Sequence, residues 1–342
     1  MTEMTAMAAE IRQAPEALAR FFERHGETVA RIGARMRALR PPVIVTCARG
    51  SSDNAAAYFK YLSEILAGTP VASIGPSVAS LYGARLQLEG AVVVSVSQSG
   101  QSPDIVALQA AAKAAGAYAI AVVNVADSPL GLGADATLPL EAGPELSVAA
   151  TKSFLSSAAV LAALVAEWTD DAGLRTATRA LPDAFARALE VDWSDAVAEF
   201  ARAKSAYVVG RGPGLPIAAE AALKLKETAM LHAEAFSGAE VMHGPLQLVE
   251  PGFPIIAFHP KDRAHPAMSE TNARLKAIGA SLYVVEDGPA APGRLLCPPS
   301  GEPLLDPLAM LAAFYQFAEA VARARGHNPD RPTRLKKVTE TL

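Results

Sequence analysis

Apolar runs with β character recur along the chain, at Val43 to Cys47, Val92 to Val96, Ala119 to Val125, Ala206 to Gly210, Pro254 to Phe258 and Ser281 to Val285. Alanine- and leucine-rich stretches of helical character separate them. This alternation restricts the fold more than any other feature: strands divided by helices make βαβ units, and such units build a parallel sheet flanked by helices. The chain has 342 residues, too many for one ordinary core and about right for two. Half the residues are apolar (51%) but only 6% are aromatic, which favours closely packed helices over sheets rather than an all-β protein.

The alternation is written twice. "RGSSDNAAAYFKYLSE" from Arg49 and "RGPGLPIAAEAALKLKE" from Arg211 each follow an apolar strand and open a long helix, at an offset of 162 residues. The same offset carries "AVVVSVS" (Ala91 to Ser97) onto "FPIIAFH" (Phe253 to His259), and one residue more carries Gly116 onto Gly279. The expected architecture is therefore α/β, with two tandem doubly wound, flavodoxin-like domains. Residues 1–40 form an N-terminal helical segment ended by Pro41 and Pro42, 41–190 the first domain, 191–325 the second, and 326–342 a C-terminal tail packed over the site.

Ligands of open parallel sheets bind beyond the carboxyl ends of the strands. Two such ends in the first half carry hydroxyls: Ser51 and Ser52 after one strand, and Ser97, Gln98, Ser99 and Ser102 after the next. A helix start behind each loop adds free N–H groups and a positive dipole end, so the pair suits a phosphate. The plainer reading is helix capping, for which Ser102 before Pro103 is well placed. No GxxxxGK[ST] occurs, so a small phosphorylated metabolite fits better than a nucleotide.

In the second half, Glu220, Lys224 and Glu227 stand at i, i+4 and i+7 on one side of a helix. Alone, such a stripe is an ordinary solvated ion-pair face; its apolar neighbours make a partly buried set suited to proton transfer the competing reading. His243 sits in a turn before Gly244 and Pro245. His232 and Glu234 lack a third ligand or an HExxH pattern, so no metal is expected, and His25, His259, His265 and His327 read as structural or surface residues. Cys47 and Cys297 suggest neither a disulfide framework nor a zinc site. A formal charge of −4 argues against nucleic acid and anionic membrane as partners. No signal-peptide pattern or membrane-spanning run appears, and a cytoplasmic location is expected.

The motifs "RGSSDNA", "SVSQSGQSPD", "ELSVAATKSF", "EAALKLKE", "HAEAF" and the terminal "LKKVTE" resemble, in that order, those of the sugar isomerase (SIS) domain proteins. Within that family they resemble the isomerase half of glutamine-dependent glucosamine-6-phosphate synthase. The resemblance implies that Ser97, Gln98, Ser99 and Ser102 bind a sugar phosphate with Ser52 beside them, and that Ser51, Val148 and the residue at Ala150 line the sugar. It implies that Glu227 moves a proton between C1 and C2, that His243 assists ring opening, and that Lys337 closes over the open-chain sugar; Glu220 and Lys224, on the same helix stripe as Glu227, are read as supporting it. It implies a homodimer in which His243 serves the neighbouring subunit's site. No cofactor is called for. Ala150 stands where the synthase has a serine, so a methyl replaces a hydroxyl at that place.

The synthase begins with a glutaminase domain, and this chain begins MTEMTAM. Without that ammonia source the same residues are expected to run the reverse reaction, from glucosamine 6-phosphate to fructose 6-phosphate and ammonia. Competing readings are an ammonia-dependent synthase, a fructosamine-phosphate deglycase, and, from another class, a non-catalytic sugar-phosphate sensor. The sensor would need the serine loops but not Glu227, His243 and Lys337.

Overall fold

A computed structural model describes residues 4–337. The N-terminal helical segment is a single 34-residue helix, α1 (Ala6–Leu39), with Pro15 inside it. It stops at Arg40, which has a left-handed φ of 47°, just ahead of Pro41 and Pro42. Two compact units follow from the contacts. One comprises residues 16–145 and 152–179; the other comprises 4–15, 146–151 and 180–337. The placing of 4–15 and 146–151 with the second half was not visible in the sequence.

The first unit carries β1 (Ile44–Cys47), α2 (Ser51–Leu66), β2 (Val71–Ser73), α3 (Ser77–Ser80), β3 (Val92–Ser97), α4 (Pro103–Ala114), β4 (Tyr118–Val123), α5 (Pro129–Gly133), β5 (Ala136–Pro139), α6 (Lys152–Thr169) and α7 (Ala172–Arg179). Its strands form a five-stranded sheet in the order β2-β1-β3-β4-β5, every pairing parallel. β3 is paired on both edges and buried throughout, which explains its unbroken apolar run. On one face Val45, Cys47, Val93, Ala119, Ala121 and Val123 meet the α4 stripe of Ile105, Leu108 and Ala112, at two-residue strand spacing and three- to four-residue helix spacing.

The second unit carries α8 (Leu181–Ala188), α9 (Ser194–Arg202), β6 (Ser205–Gly210), α10 (Gly214–Ala229), β7 (His232–Ser237), β8 (Pro254–Phe258), α11 (His265–Ala277), β9 (Ser281–Glu286), β10 (Arg294–Leu296) and α12 (Asp306–Ala324). Its parallel sheet runs β7-β6-β8-β9-β10, the same order of elements as the first. The six expected strands are present to within two residues at either end. The strands that escaped the sequence reading are β2, β5, β7 and β10, which lie on sheet edges. An edge strand buries less, so its apolar signal is weak: β7 reads HAEAFS, with His232 and Glu234 exposed.

In a doubly wound sheet the crevice for a ligand lies where the strand order reverses. In the first unit that point falls between β1 and β3, the two strands that end in the serine loops. Among the described residues no helix is long and apolar enough to cross a membrane.

Candidate functional site

The first serine loop follows β1. Gly50 takes a left-handed φ of 55° ahead of α2, and its carbonyl accepts from Asp53 and Asn54, so the chain turns sharply with Ser51 and Ser52 in the first helical turn. Burial pushes the Asp53 carboxyl up, while Arg49 pulls it back. The second loop follows β3. Ser97 is buried, and its Oγ accepts from Gly100 N at 3.1 Å; Ser99 Oγ accepts from Gln101 N at 3.3 Å. Gly100 has a φ of 63°, and a Cβ there would sit 2.0 Å from Ser128 Oγ, so glycine is required on two counts.

Ser102 occupies the cap position of α4 with Pro103 at the first helical residue, yet its side chain makes no capping bond. The capping reading thus accounts for its place but not for its hydroxyl. The two loops are tied by an ion pair that the sequence reading missed. Arg49 Nε lies 2.6 Å from the Asp104 carboxylate, and Asp104 is 1% exposed. Asp104 also accepts from Ile105 N at 2.8 Å. A buried carboxylate seldom stands without a partner, so Arg49 holds the start of α4 against the end of β1. All six polar residues, Ser51, Ser52, Ser97, Gln98, Ser99 and Ser102, belong to loops or helix starts that leave this one switch point.

In the second unit α10 is built from good helix formers and is buried on most sides. Glu220 and Lys224 are 0% exposed and Glu227 is 23% exposed. Lys224 Nζ lies 3.4 Å from Glu220 Oε1 and in direct contact with Glu227 Oε2, while Tyr315 Oη of α12 donates to Glu220 Oε1 at 3.1 Å. The stripe is therefore a buried charged row that reaches solvent only at Glu227, not a solvated surface. Glu227 stands thirteen residues along α10, roughly 20 Å from the helix start. It is thus near the far end of the helix, not at the carboxyl ends of its own sheet. Tyr315, 95 residues further on, had no sequence signal to link it to the row.

Glu227 opens into a groove of about 500 Å³, with Lys226, Met230, Leu231, Pro332 and Leu335 among its walls. α10 closes with Met230 in a left-handed conformation, φ 48°. That conformation is unusual for a residue with a Cβ.

Val148 and Ala150 are half-buried in the turn at residues 146–151. Val148 N donates to Asp330 O at 3.3 Å. Lys337 Nζ donates to Ser147 O at 2.6 Å, so the tail lysine sits beside the turn that carries Val148. The tail residues 338–342, including the rest of the "LKKVTE" motif, lie outside the described residues. His243 is exposed between two short 3₁₀ turns, and its side chain has no hydrogen-bond or ion-pair partner among the described residues.

Three other histidines found partners the sequence did not announce. His25 Nε2 lies 2.8 Å from Glu141 Oε1. His259 and His265 stack at 4.0 Å and 11°, and with Glu286 they place one ligand atom each within 4.8 Å of the others. Stacked rings hold their in-plane lone pairs in parallel planes, which does not direct both at one ion. His259 Nδ1 and the two oxygens of Glu286 are also already engaged, the latter with His259 at 2.8 Å and Arg294 at 2.7 Å.

One family spans both doubly wound units. Its description, the SIS domain, matches residues 41–167 and 199–292. The chain belongs to the SIS domain family. It is 37% identical, over 97% of its length, to the isomerizing glutamine–fructose-6-phosphate aminotransferase of Aeropyrum pernix, of which it covers 56%. The SIS chain spans about half the length of the curated relatives it matches. Among solved structures it is similar to a protein named as a candidate phosphosugar isomerase of Silicibacter pomeroyi. The identity there is 44% and the TM-score 0.90, covering 96% of this chain and 100% of that one. It is also similar to the C-terminal domain of glucosamine-fructose-6-phosphate aminotransferase of Francisella tularensis, at 25% identity and TM-score 0.81, covering 97% and 99%. The SIS chain therefore has the sugar phosphate isomerase fold.

Proposed function

We propose that the chain acts on an amino-sugar phosphate, converting glucosamine 6-phosphate to fructose 6-phosphate and ammonia. The phosphate dianion is held by Ser52, Ser97, Gln98, Ser99 and Ser102 together with the N–H groups that open α2 and α4, which present donors and a positive dipole end. Ser51, Val148 and Ala150 face the sugar. With the ring opened, aided by His243, Glu227 removes the proton from C2 and returns it to C1, while O1 gains a proton and the amine nitrogen gives one up, leaving an imine at C2. Water adds to that imine and ammonia leaves. Lys337 closes over the open chain. His243, exposed and with no side-chain partner among the described residues, is read as serving a second copy.

The observation that carries this reading is the row of Glu220, Lys224 and Glu227. A protein that only senses a phosphate has no use for a fully buried Glu–Lys pair ending in a half-open carboxylate. That arrangement can hold Glu227 in place and relay charge as its proton leaves and returns. Direction is a matter of mass action: in water without added ammonia, hydrolysis of the imine wins.

The test is product analysis with purified protein. Glucosamine 6-phosphate should yield fructose 6-phosphate and ammonia in equal amounts, and Glu227→Gln should lower turnover by about 10² to 10⁴ while leaving sugar-phosphate binding nearly unchanged. Absence of both products with wild-type protein, or full turnover by the Gln variant, would refute the assignment. An assay started from fructose 6-phosphate and ammonia measures the opposite direction.

A further inference from the structure

Glu10 was silent in the sequence, one acid in a helical opening segment. In the structure it is 4% exposed and its carboxylate is spent on the backbone of the turn that carries Val148. Oε1 accepts from Leu146 N in direct contact and from Ser147 N at 3.4 Å, and Oε2 accepts from Ser147 N at 3.2 Å. The same turn is held from a second side by Asp330, whose carbonyl accepts from Val148 N at 3.3 Å. Asp330 in turn caps α1, its two carboxylate oxygens accepting from Ala6 N at 2.8 Å and Met7 N at 2.7 Å. Lys337 Nζ is the third anchor, on Ser147 O at 2.6 Å. The turn does not hold itself: the Ser147 hydroxyl is buried with no hydrogen-bond partner among the described residues.

We infer that Glu10 is a positioning residue for the proposed reaction, fixing the 146–148 turn so that Ser147 O seats the Lys337 ammonium and Val148 is presented to the sugar. The inference rests on the functional reading above, which gives Lys337 and Val148 their roles. The physical reason is donor and acceptor count. A carboxylate accepts from successive N–H groups without offering a donor, and charge-assisted bonds of that kind are about twice as strong as neutral ones. Glutamine at the same place keeps the size but turns an NH₂ toward a backbone N–H. The turn then loses one anchor and its carbonyl drifts from the lysine. A reacting group misplaced by about 1 Å can cost roughly 100-fold in rate.

The test uses the full chain and glucosamine 6-phosphate. Glu10→Gln should lower kcat by about 10- to 100-fold and leave inhibition by inorganic phosphate unchanged, because the phosphate loops are elsewhere. Glu10→Asp, which keeps the charge, should recover part of the loss. Combined with Lys337→Met, Glu10→Gln should add little further loss of kcat, since both act on one element. A general weakening of the fold would instead give additive losses and would shift the phosphate constant. Wild-type kcat in Glu10→Gln, or additivity with Lys337→Met, overturns the inference. Hydrogen exchange at the Leu146 and Ser147 amides gives a readout independent of turnover: faster exchange in Glu10→Gln is expected, and unchanged exchange refutes the anchor. A wild-type chain that turns over no substrate overturns the reaction reading and the catalytic role drawn from it, and the exchange result still decides whether Glu10 holds the turn.

Discussion

Replacing Lys224 by Met tests the buried charge row on which the functional reading depends. Methionine fills nearly the same volume, so the substitution removes the ammonium and little else. Lys224 Nζ lies 3.4 Å from Glu220 Oε1 and both side chains are 0% exposed. At an effective dielectric of 20 the attraction at that distance is about 5 kcal/mol, much of it offset by the desolvation of both ions. What the variant measures is different: the cost of leaving the Glu220 carboxylate buried without its cation, about 3 to 5 kcal/mol. Glu227, at 23% exposure, can turn to water and adds less. Urea unfolding followed by the fluorescence of Trp193, in a Trp168→Phe background so that only the unit containing α10 reports, gives the midpoint and slope. The second arm is Lys224→Met combined with Glu220→Gln, which leaves no unpaired charge at either position. It should be more stable than Lys224→Met alone by at least about 1 kcal/mol. A single variant that loses less than about 1 kcal/mol, or a double variant that loses the sum of the singles, would show that the two charges are not coupled.

Other expectations concern places where the geometry leaves little freedom. Gly100→Ala should cost at least about 2 kcal/mol, from the left-handed φ and the contact with Ser128, and should weaken phosphate binding; a melting curve and phosphate inhibition check both. Burial pushes the thiols of Cys47 and Cys297 up to about 12, with Asp104 and Asp306 adding to the effect, so neither should react with iodoacetamide at about pH 8 until denaturant is added. Rapid labelling of the native chain at either position would refute that. The hydrogen bond from His25, with Arg24 beside it, holds the Glu141 carboxyl below its ordinary range. A depressed folded value stabilises above the unfolded value of about 4.3 and is lost as pH falls through the lower folded one. Glu141→Gln should therefore melt below wild type near neutrality and converge with it in acid; a gap independent of pH would refute the cause.

Much of the first unit was legible because its signals are local. A strand buried on both faces must be apolar throughout, and β3 is; a loop that leaves such a strand in Ser97, Gln98, Ser99 and Ser102 is conspicuous against it. β8 was found to the residue for the same reason. Edge strands bury less and so carry a weaker apolar signal, which is why β7 does not stand out in the sequence. Capping was the fair alternative for Ser102, and only the dihedral and bonding geometry showed a residue in the cap position whose hydroxyl does not cap.

The amino-acid pattern by itself determined the α/β class, the doubling of the unit, the hydroxyl loops and the i, i+4, i+7 row on α10. These follow from burial periodicity and helix spacing, which act over a few residues. What only the tertiary structure decided is which charges lost their water and which distant groups replaced it. Glu220 found Tyr315, Asp104 found Arg49, and the acid at position 10 found the amides of a turn 136 residues away. A buried charge must be met by some partner, but sequence separation does not say which one, because the chain closes long loops at little extra cost and the partner is set by where the sheets and helices finally pack.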